Sequence, residues 1–141
     1  MSDLSFFLAA NAEKRENKKV VVSTRFKNKD GKPVPWEIRS VSLEEDEALR
    51  KSCTKKVQVT GRKNQLTTDF DANAYLLKLV ARAVVYPDLN NEELQNSYGV
   101  MGAEQLLKVM LYKDEFDMLA EEVTRVTERE DINDLVDEAK N

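Results

Sequence analysis

The chain has 141 residues, 41% hydrophobic and 34% charged, with a net charge of −4, which fits one globular domain with length left over for terminal arms. It contains no histidine and a single cysteine, Cys53. That removes His-based triads, His-ligated zinc and haem, imidazole pH switches, internal disulfides and thiolate metal clusters. No apolar run reaches the roughly 18 residues of a membrane span, and the N-terminus lacks the basic-then-apolar order of a signal peptide, so a cytoplasmic, reducing setting is expected. Charge divides along the chain: residues 1–70 hold 15 Lys+Arg against 10 Asp+Glu, whereas residues 71–141 hold 7 against 16. The acidic half reads as the solvated face of helices.

In chain order, residues 3–10 (DLSFFLAA) suggest a short helix with Phe6, Phe7 and Leu8 to bury, followed by a charged loop from Asn11 to Lys19. The stretch from Lys18 to Val41 is rich in β-branched and aromatic residues on both sides of Asp30-Gly31 and forms the strongest hairpin signal. A two-residue loop would put Phe26 and Trp36 on opposite faces. A three- or five-residue loop with Gly31 at positive φ instead pairs Phe26 with Trp36, Thr24 with Ile38 and Val22 with Ser40, and that register is expected. Pro33 and Pro35 make the second strand irregular at its start.

Ser42-Leu43-Glu44-Glu45 has the spacing of a capping box, predicting a helix of about 12 residues with Leu43, Ala48 and Leu49 inward and Cys53 near its end. Cys53 reads as a structural or indifferent thiol despite the lysines beside it. KVQVTGRKNQLTT reads as two short strands, or a strand and a loop, turning at Gly61. Asp71 or Asp69 can cap a nearly all-apolar core helix ending at Tyr86-Pro87, interrupted only by Lys78 and Arg82. Asn90 is expected to cap a helix over Glu92–Tyr98 that stops at Gly99, and a further helix spans about 102–112. Phe116, Leu119, Ala120, Val123 and Thr127 keep the i, i+3, i+4, i+7 spacing, as do Ile132, Leu135, Val136 and Ala139. The fold class expected is α+β: one domain over 1–141, with a hairpin or small antiparallel sheet in 1–68 packed on a mostly helical part in 69–141, chiefly on the 71–86 helix.

Catalytic constellations fail in turn. No glycine pair has phosphate-loop spacing, and the Asn28-Asp30-Gly31 cluster lacks most calcium ligands. The carboxylates at Glu44–Glu47 and Glu121-Glu122 fall on outer helix faces rather than in a pocket that would raise a pKa. No catalytic, cofactor or metal residues are assigned, and no enzymatic role is expected. The hairpin cations Lys18, Lys19, Arg25, Lys27, Lys29, Lys32 and Arg39, with Arg62 and Lys63 and interleaved Phe26 and Trp36, leave open a nucleic-acid reading. It is disfavoured, because the aromatics must cover the hairpin's apolar face and the acidic half repels phosphates. Every methionine beyond the first (Met101, Met110, Met118) lies within residues 101–118. Core filling explains them most simply, but thioethers also suit surfaces that bind varied apolar partners.

Several stretches together resemble the tail assembly chaperones of long-tailed phages and phage-like elements, of the type found in a defective prophage of a Gram-positive bacterium. They begin with Arg25-Phe26, Asp30-Gly31-Lys32-Pro33, Trp36-Glu37-Ile38-Arg39, Leu49-Arg50-Lys51 and Cys53-Thr54-Lys55. The most specific block is Val84-Val85-Tyr86-Pro87-Asp88-Leu89 with Glu93-Leu94-Gln95-Asn96-Ser97-Tyr98-Gly99-Val100, continuing through Gly102-Ala103-Glu104 and Leu106-Leu107 to Met110-Leu111. The resemblance ends at Glu138-Ala139-Lys140-Asn141. One departure is Lys113-Asp114-Glu115-Phe116, where relatives carry a Pro-Gly-Glu-Tyr-like break, so the two helices either run together here or turn at Asp114.

The resemblance implies a non-catalytic assembly factor of the bacterial host cytoplasm, absent from the mature virion. It would bind apolar helical segments of the tape measure protein during tail morphogenesis and pair with itself or a frameshifted longer form. No cofactor, membrane or nucleic-acid partner is implied. Partner-binding residues are expected among Tyr98, Met101, Leu107, Met110, Leu111, Phe116 and Met118. The alternative is a minor structural or connector protein of the tail.

Overall fold

The computed structural model describes residues 3–128. They form an α+β fold with strands β1 (Lys18–Val20), β2 (Trp36–Ile38), β3 (Thr54–Gln58), β4 (Leu66–Phe70) and β5 (Val84–Tyr86). The helices are α1 (Leu43–Ser52), α2 (Ala72–Ala83), α3 (Glu92–Ser97), α4 (Ala103–Met110) and α5 (Lys113–Glu128). β1, β2 and β5 make one antiparallel sheet in that order, and β3 and β4 make a separate two-stranded ribbon.

The long hairpin closes through a three-residue turn, with Asn28 N–H bonded to Lys32 O at 2.8 Å and Gly31 at φ 77°. The Asn28 side-chain oxygen accepts from the amides of Asp30 and Lys32 and fixes the turn locally. The expected register is not the observed one. Val20 stands opposite Trp36 and Lys18 opposite Ile38, while Lys27 bridges Pro33 near the tip. Between these two paired regions the first arm spends six residues, 21–26, and the second only two, Val34 and Pro35. The surplus bulges out of the sheet because the two prolines shorten the run that the second arm can pair. Phe26 still meets Trp36, with ring centroids 6.2 Å apart, but from the bulge rather than from a facing ladder position.

The capping box at α1 is present in full: Ser42 Oγ accepts from Glu45 N–H and the Glu45 carboxylate accepts from Ser42 N–H. Leu49 and Cys53 are buried, whereas Leu43 (75% exposed) and Ala48 face solvent, a correction to the inward placement expected from spacing. At the first helical position Leu43 lies on the turn that the box presents to water. The β3–β4 hairpin forms in register around the Gly61 turn, and almost all of it is exposed.

Asp71 caps α2, whose Leu79, Val80 and Ala83 are buried, while Lys78 turns out to Glu104 at 3.4 Å. The helix ends at Ala83, three residues earlier than expected. Val84–Tyr86 continue as the third strand of the main sheet, pairing with β2. Three β-branched or aromatic residues ahead of Pro87, which disfavours helical geometry in its predecessor, make extension the better local state. Asn91, not Asn90, caps α3. Between α4 and α5 the chain breaks at Leu111, which is extended. The Glu115 carboxylate then reaches back to Tyr112 N–H at 2.9 Å, so the turn falls two residues before Asp114. The expected helix with Ile132, Leu135, Val136 and Ala139 lies outside the described residues.

Trp36, Ile38, Leu79, Val80, Leu89, Leu106, Leu107, Leu119 and Val123 share one core between sheet and helices. The N-terminal segment does not join it. Leu4–Phe7 form a 3-10 turn capped by Asp3, and Phe6 and Phe7 are 72% and 81% exposed, contrary to the burial expected of them. No helix among the described residues is long and apolar enough to cross a membrane.

Candidate partner-binding surface

The bulge in the first hairpin arm brings Arg25 onto the start of α5. Its guanidinium donates to both Glu115 carboxylate oxygens, at 2.6 and 3.2 Å, and to Met110 O at 2.7 Å. It also lies over the rings of Phe26 and Tyr112, 4.9 and 4.8 Å from their centroids. The Arg25 hydrogen bonds, helped by the Tyr112 amide, hold the Glu115 carboxyl at about 2. The Arg25–Tyr112 pair thus forms a ridge, and an apolar groove lies on either side of it.

On one side, a groove of about 410 Å³ runs between the hairpin and α3, lined by Phe26, Val34, Pro35, Pro87, Leu94 and Tyr98 with Met110 beneath. On the other, a groove of about 390 Å³ lies between α2, α4 and α5, lined by Leu77, Leu107, Leu111, Tyr112 and Phe116 with Lys108 and Lys113 at its rim. The seven residues expected to bind a partner therefore do not form one stripe. Tyr98 and Met110 line the hairpin-side groove, and Leu107, Leu111 and Phe116 line the helix-side groove. Met101 is 87% exposed and Met118 is half-buried against the core, and neither lines these two grooves. Leu107 is only 1% exposed, so it contributes floor rather than free surface. The proline and hairpin residues of the first groove carry no periodic signal and could be found only from the fold.

The other constellations also resolve. Among the described residues no group of three or more His, Cys, Asp or Glu side chains could hold a metal ion. Glu45 accepts both Arg39 nitrogens at 2.9 and 2.7 Å, and that pairing holds its carboxyl at about 2. Asp46 is likewise lowered, first by the Tyr75 hydroxyl that donates to it and then by Arg50. A general acid needs the opposite shift. Of the hairpin cations, Lys18 pairs with Glu122 at 2.6 Å and Arg25 with Glu115. Trp36 is 2% exposed, so it offers no platform for stacking a base.

The model of the phage XkdN-like tail assembly chaperone protein family matches residues 4–140. The chain belongs to that family. It is 28% identical over 141 residues to the phage-like element PBSX protein XkdN of Bacillus subtilis (strain 168), covering 99% of this chain and 94% of that one. It is also 28% identical over 109 residues to the protein YqbN of the same organism, covering 77% and 72%. A crystal structure of the protein YqbN matches with a TM-score of 0.73 at 20% identity, over 89% of this chain and 96% of that one, a likeness of fold. As a tail assembly chaperone family member, the chain has a role in phage tail assembly.

Proposed function

We propose that this chaperone is a non-catalytic binder of the tape measure protein, acting in the host cytoplasm and leaving before the tail is finished. The observation that carries the reading is the family match, which runs through both the sheet and the helices instead of one shared motif. The surface supports it. An apolar helix laid in the hairpin-side groove would bury its stripe against Val34, Pro35, Leu94 and Tyr98, a helix-in-groove mode of recognition. Such a groove, open along its length and without a deep pocket, suits many weak contacts along a long partner.

Co-expression with the tape measure protein of the same phage or phage-like element, followed by capture of a tag on this chain, tests the reading. Soluble co-purification is the expected result, reduced by Tyr98→Asp while the thermal midpoint stays near that of the wild type. Failure of both Tyr98→Asp and Val34→Asp to weaken capture would move the binding surface elsewhere. No complex, together with this chain found in purified finished particles, would overturn the reading in favour of a structural tail component.

A further inference from the structure

Apart from the two apolar grooves, a cleft of about 830 Å³ opens between α1, α2, β5 and the start of α4. Leu49, Ala81 and Val84 line it together with three cations, Arg39, Lys78 and Arg82, and a single carboxylate, Glu104. In a chain of net charge −4 that balance is reversed. The cations are not equally engaged. Arg39 is held by both Glu45 oxygens, Lys78 meets Glu104 at 3.4 Å, and Arg82 makes no ion pair among the described residues. The Lys78 and Glu104 side chains are 33% and 43% exposed, and a pair so open to water holds its partners weakly. Lys78 and Arg82, one turn apart on α2, therefore offer a cationic row to a further acidic group.

The end of α5 lies at the mouth of this cleft. Val126 O accepts from Ser40 Oγ at 3.1 Å and from Arg15 at 3.3 Å. Ser40 follows Arg39, and Arg15 stands two residues before Asn17; both Arg39 and Asn17 line the cleft. The Arg39 amide donates to Ala83 O at 2.9 Å, which sets Arg82 beside it. A chain leaving α5 thus meets Arg39, Arg82 and Lys78 in that order.

We propose that residues 133–141 of the same chain dock in this cleft, with Asp134 against Arg82, Glu138 against Lys78, and Leu135 and Ala139 over Leu49 and Ala81. Charge fits this occupant, because residues 129–141 hold five Asp or Glu against two Lys or Arg. Spacing fits as well: Asp134 and Glu138 repeat the four-residue interval of Lys78 and Arg82, and Leu135 and Ala139 keep the same interval beside them. Residues 129–132 reach at most about 14 Å when extended. The nine that follow make about 13 Å of helix, enough to pass both cations, which stand about 6 Å apart along α2. Tethering favours the chain's own segment over a second copy's, since so short a linker holds it at an effective concentration of order millimolar. This inference does not depend on the tape measure protein and is tested without it.

A nitroxide on Asp137→Cys reads the contact by NMR, in the full chain with Cys53→Ala or Cys53→Ser so that the label has one thiol to take. The amides of Ala48, Ala81 and Val85, which line the cleft, are expected to lose intensity relative to the reduced label, while Gly31 and Lys32 at the hairpin tip keep theirs. Arg82→Glu, and separately Asp134→Lys/Glu138→Lys, should abolish the loss with the amide shifts of α5 unchanged, and Arg82→Glu combined with Asp134→Lys should restore part of it. High salt should weaken the contact. The labelled chain mixed with isotope-enriched wild type should cause no loss. Cleft amides that keep their intensity, a loss that survives both charge reversals, or a loss in the mixed sample, which would make a second copy the occupant, would each overturn the proposal.

Discussion

Replacing Trp36 by alanine tests the core on which both grooves rest. The indole is 2% exposed on the central strand of the main sheet, with Phe26 tilted against it. A buried aromatic of this size removes about 150–250 Å² from water, and at about 25 cal/mol per Å² that is worth about 4–6 kcal/mol. Measured truncations of buried Phe and Trp cost about 3–5 kcal/mol, so the two routes agree near 4. For a domain of this length that lowers the thermal midpoint by about 10–20 °C. Urea unfolding followed by far-UV circular dichroism is the assay, since the variant loses the chain's only tryptophan fluorophore. An unchanged denaturant slope would confirm that the midpoint reports stability. Trp36→Phe should recover most of the loss by refilling the site. A loss below about 1 kcal/mol for Trp36→Ala would refute the placement of the indole between sheet and helices.

Glu45 has a folded-state value of about 2 against an ordinary 4.5, so its contribution is complete above about pH 4.5 and is lost as pH falls toward 2. With its side chain and that of Arg39 both partly exposed, the contribution after screening is about 1–2 kcal/mol. Glu45→Gln should flatten the decline of the urea midpoint across that window, and an unchanged decline would contradict the pairing. Ser42→Ala removes half of the capping box and should cost about 1 kcal/mol, read in the same urea titration. Leu107→Asp buries an unpaired charge and should abolish cooperative unfolding, whereas Met101→Asp should leave it within about 0.5 kcal/mol; equal losses would contradict their opposite exposures.

What the sequence disclosed was local. The Ser42–Glu45 box, the Asp71 cap and the Gly31 and Gly61 turns each depend on residues a few positions apart, and each formed as read. The buried stripe of α5 was equally visible, because a period near 3.6 is written into Leu119, Ala120 and Val123, whereas α2, apolar nearly all round in sequence, fully buries only Leu79, Val80 and Ala83. Tertiary choices were not. Val84–Tyr86 extend one apolar run with α2, and their local preference for extension ahead of Pro87 is realised as a strand by pairing with the open edge of β2. The hairpin register differs from the one its aromatics alone predict, because the surplus residues in the first arm are taken up by Arg25 reaching Glu115, 90 positions away. The two grooves straddle that long-range contact, so sequence spacing located some of their lining without separating one from the other. Phe6 and Phe7 were misread for the converse reason: apolar character says that a side chain avoids water, not which molecule covers it.

Among the described residues the β3–β4 ribbon is held to the rest of the fold at its base. There Arg50 lies over Phe70 and Tyr75, and Asp71 N–H meets Cys53 O at 2.9 Å. Beyond that base its strands pair with each other and are almost wholly exposed, and a lone two-stranded hairpin is marginal in water. The ribbon and the core are therefore separate cooperative units. Amides of 55–68 are expected to exchange hydrogen through openings that leave α4 and α5 closed, and a protease that nicks the Gly61 turn is expected to release an otherwise folded protein.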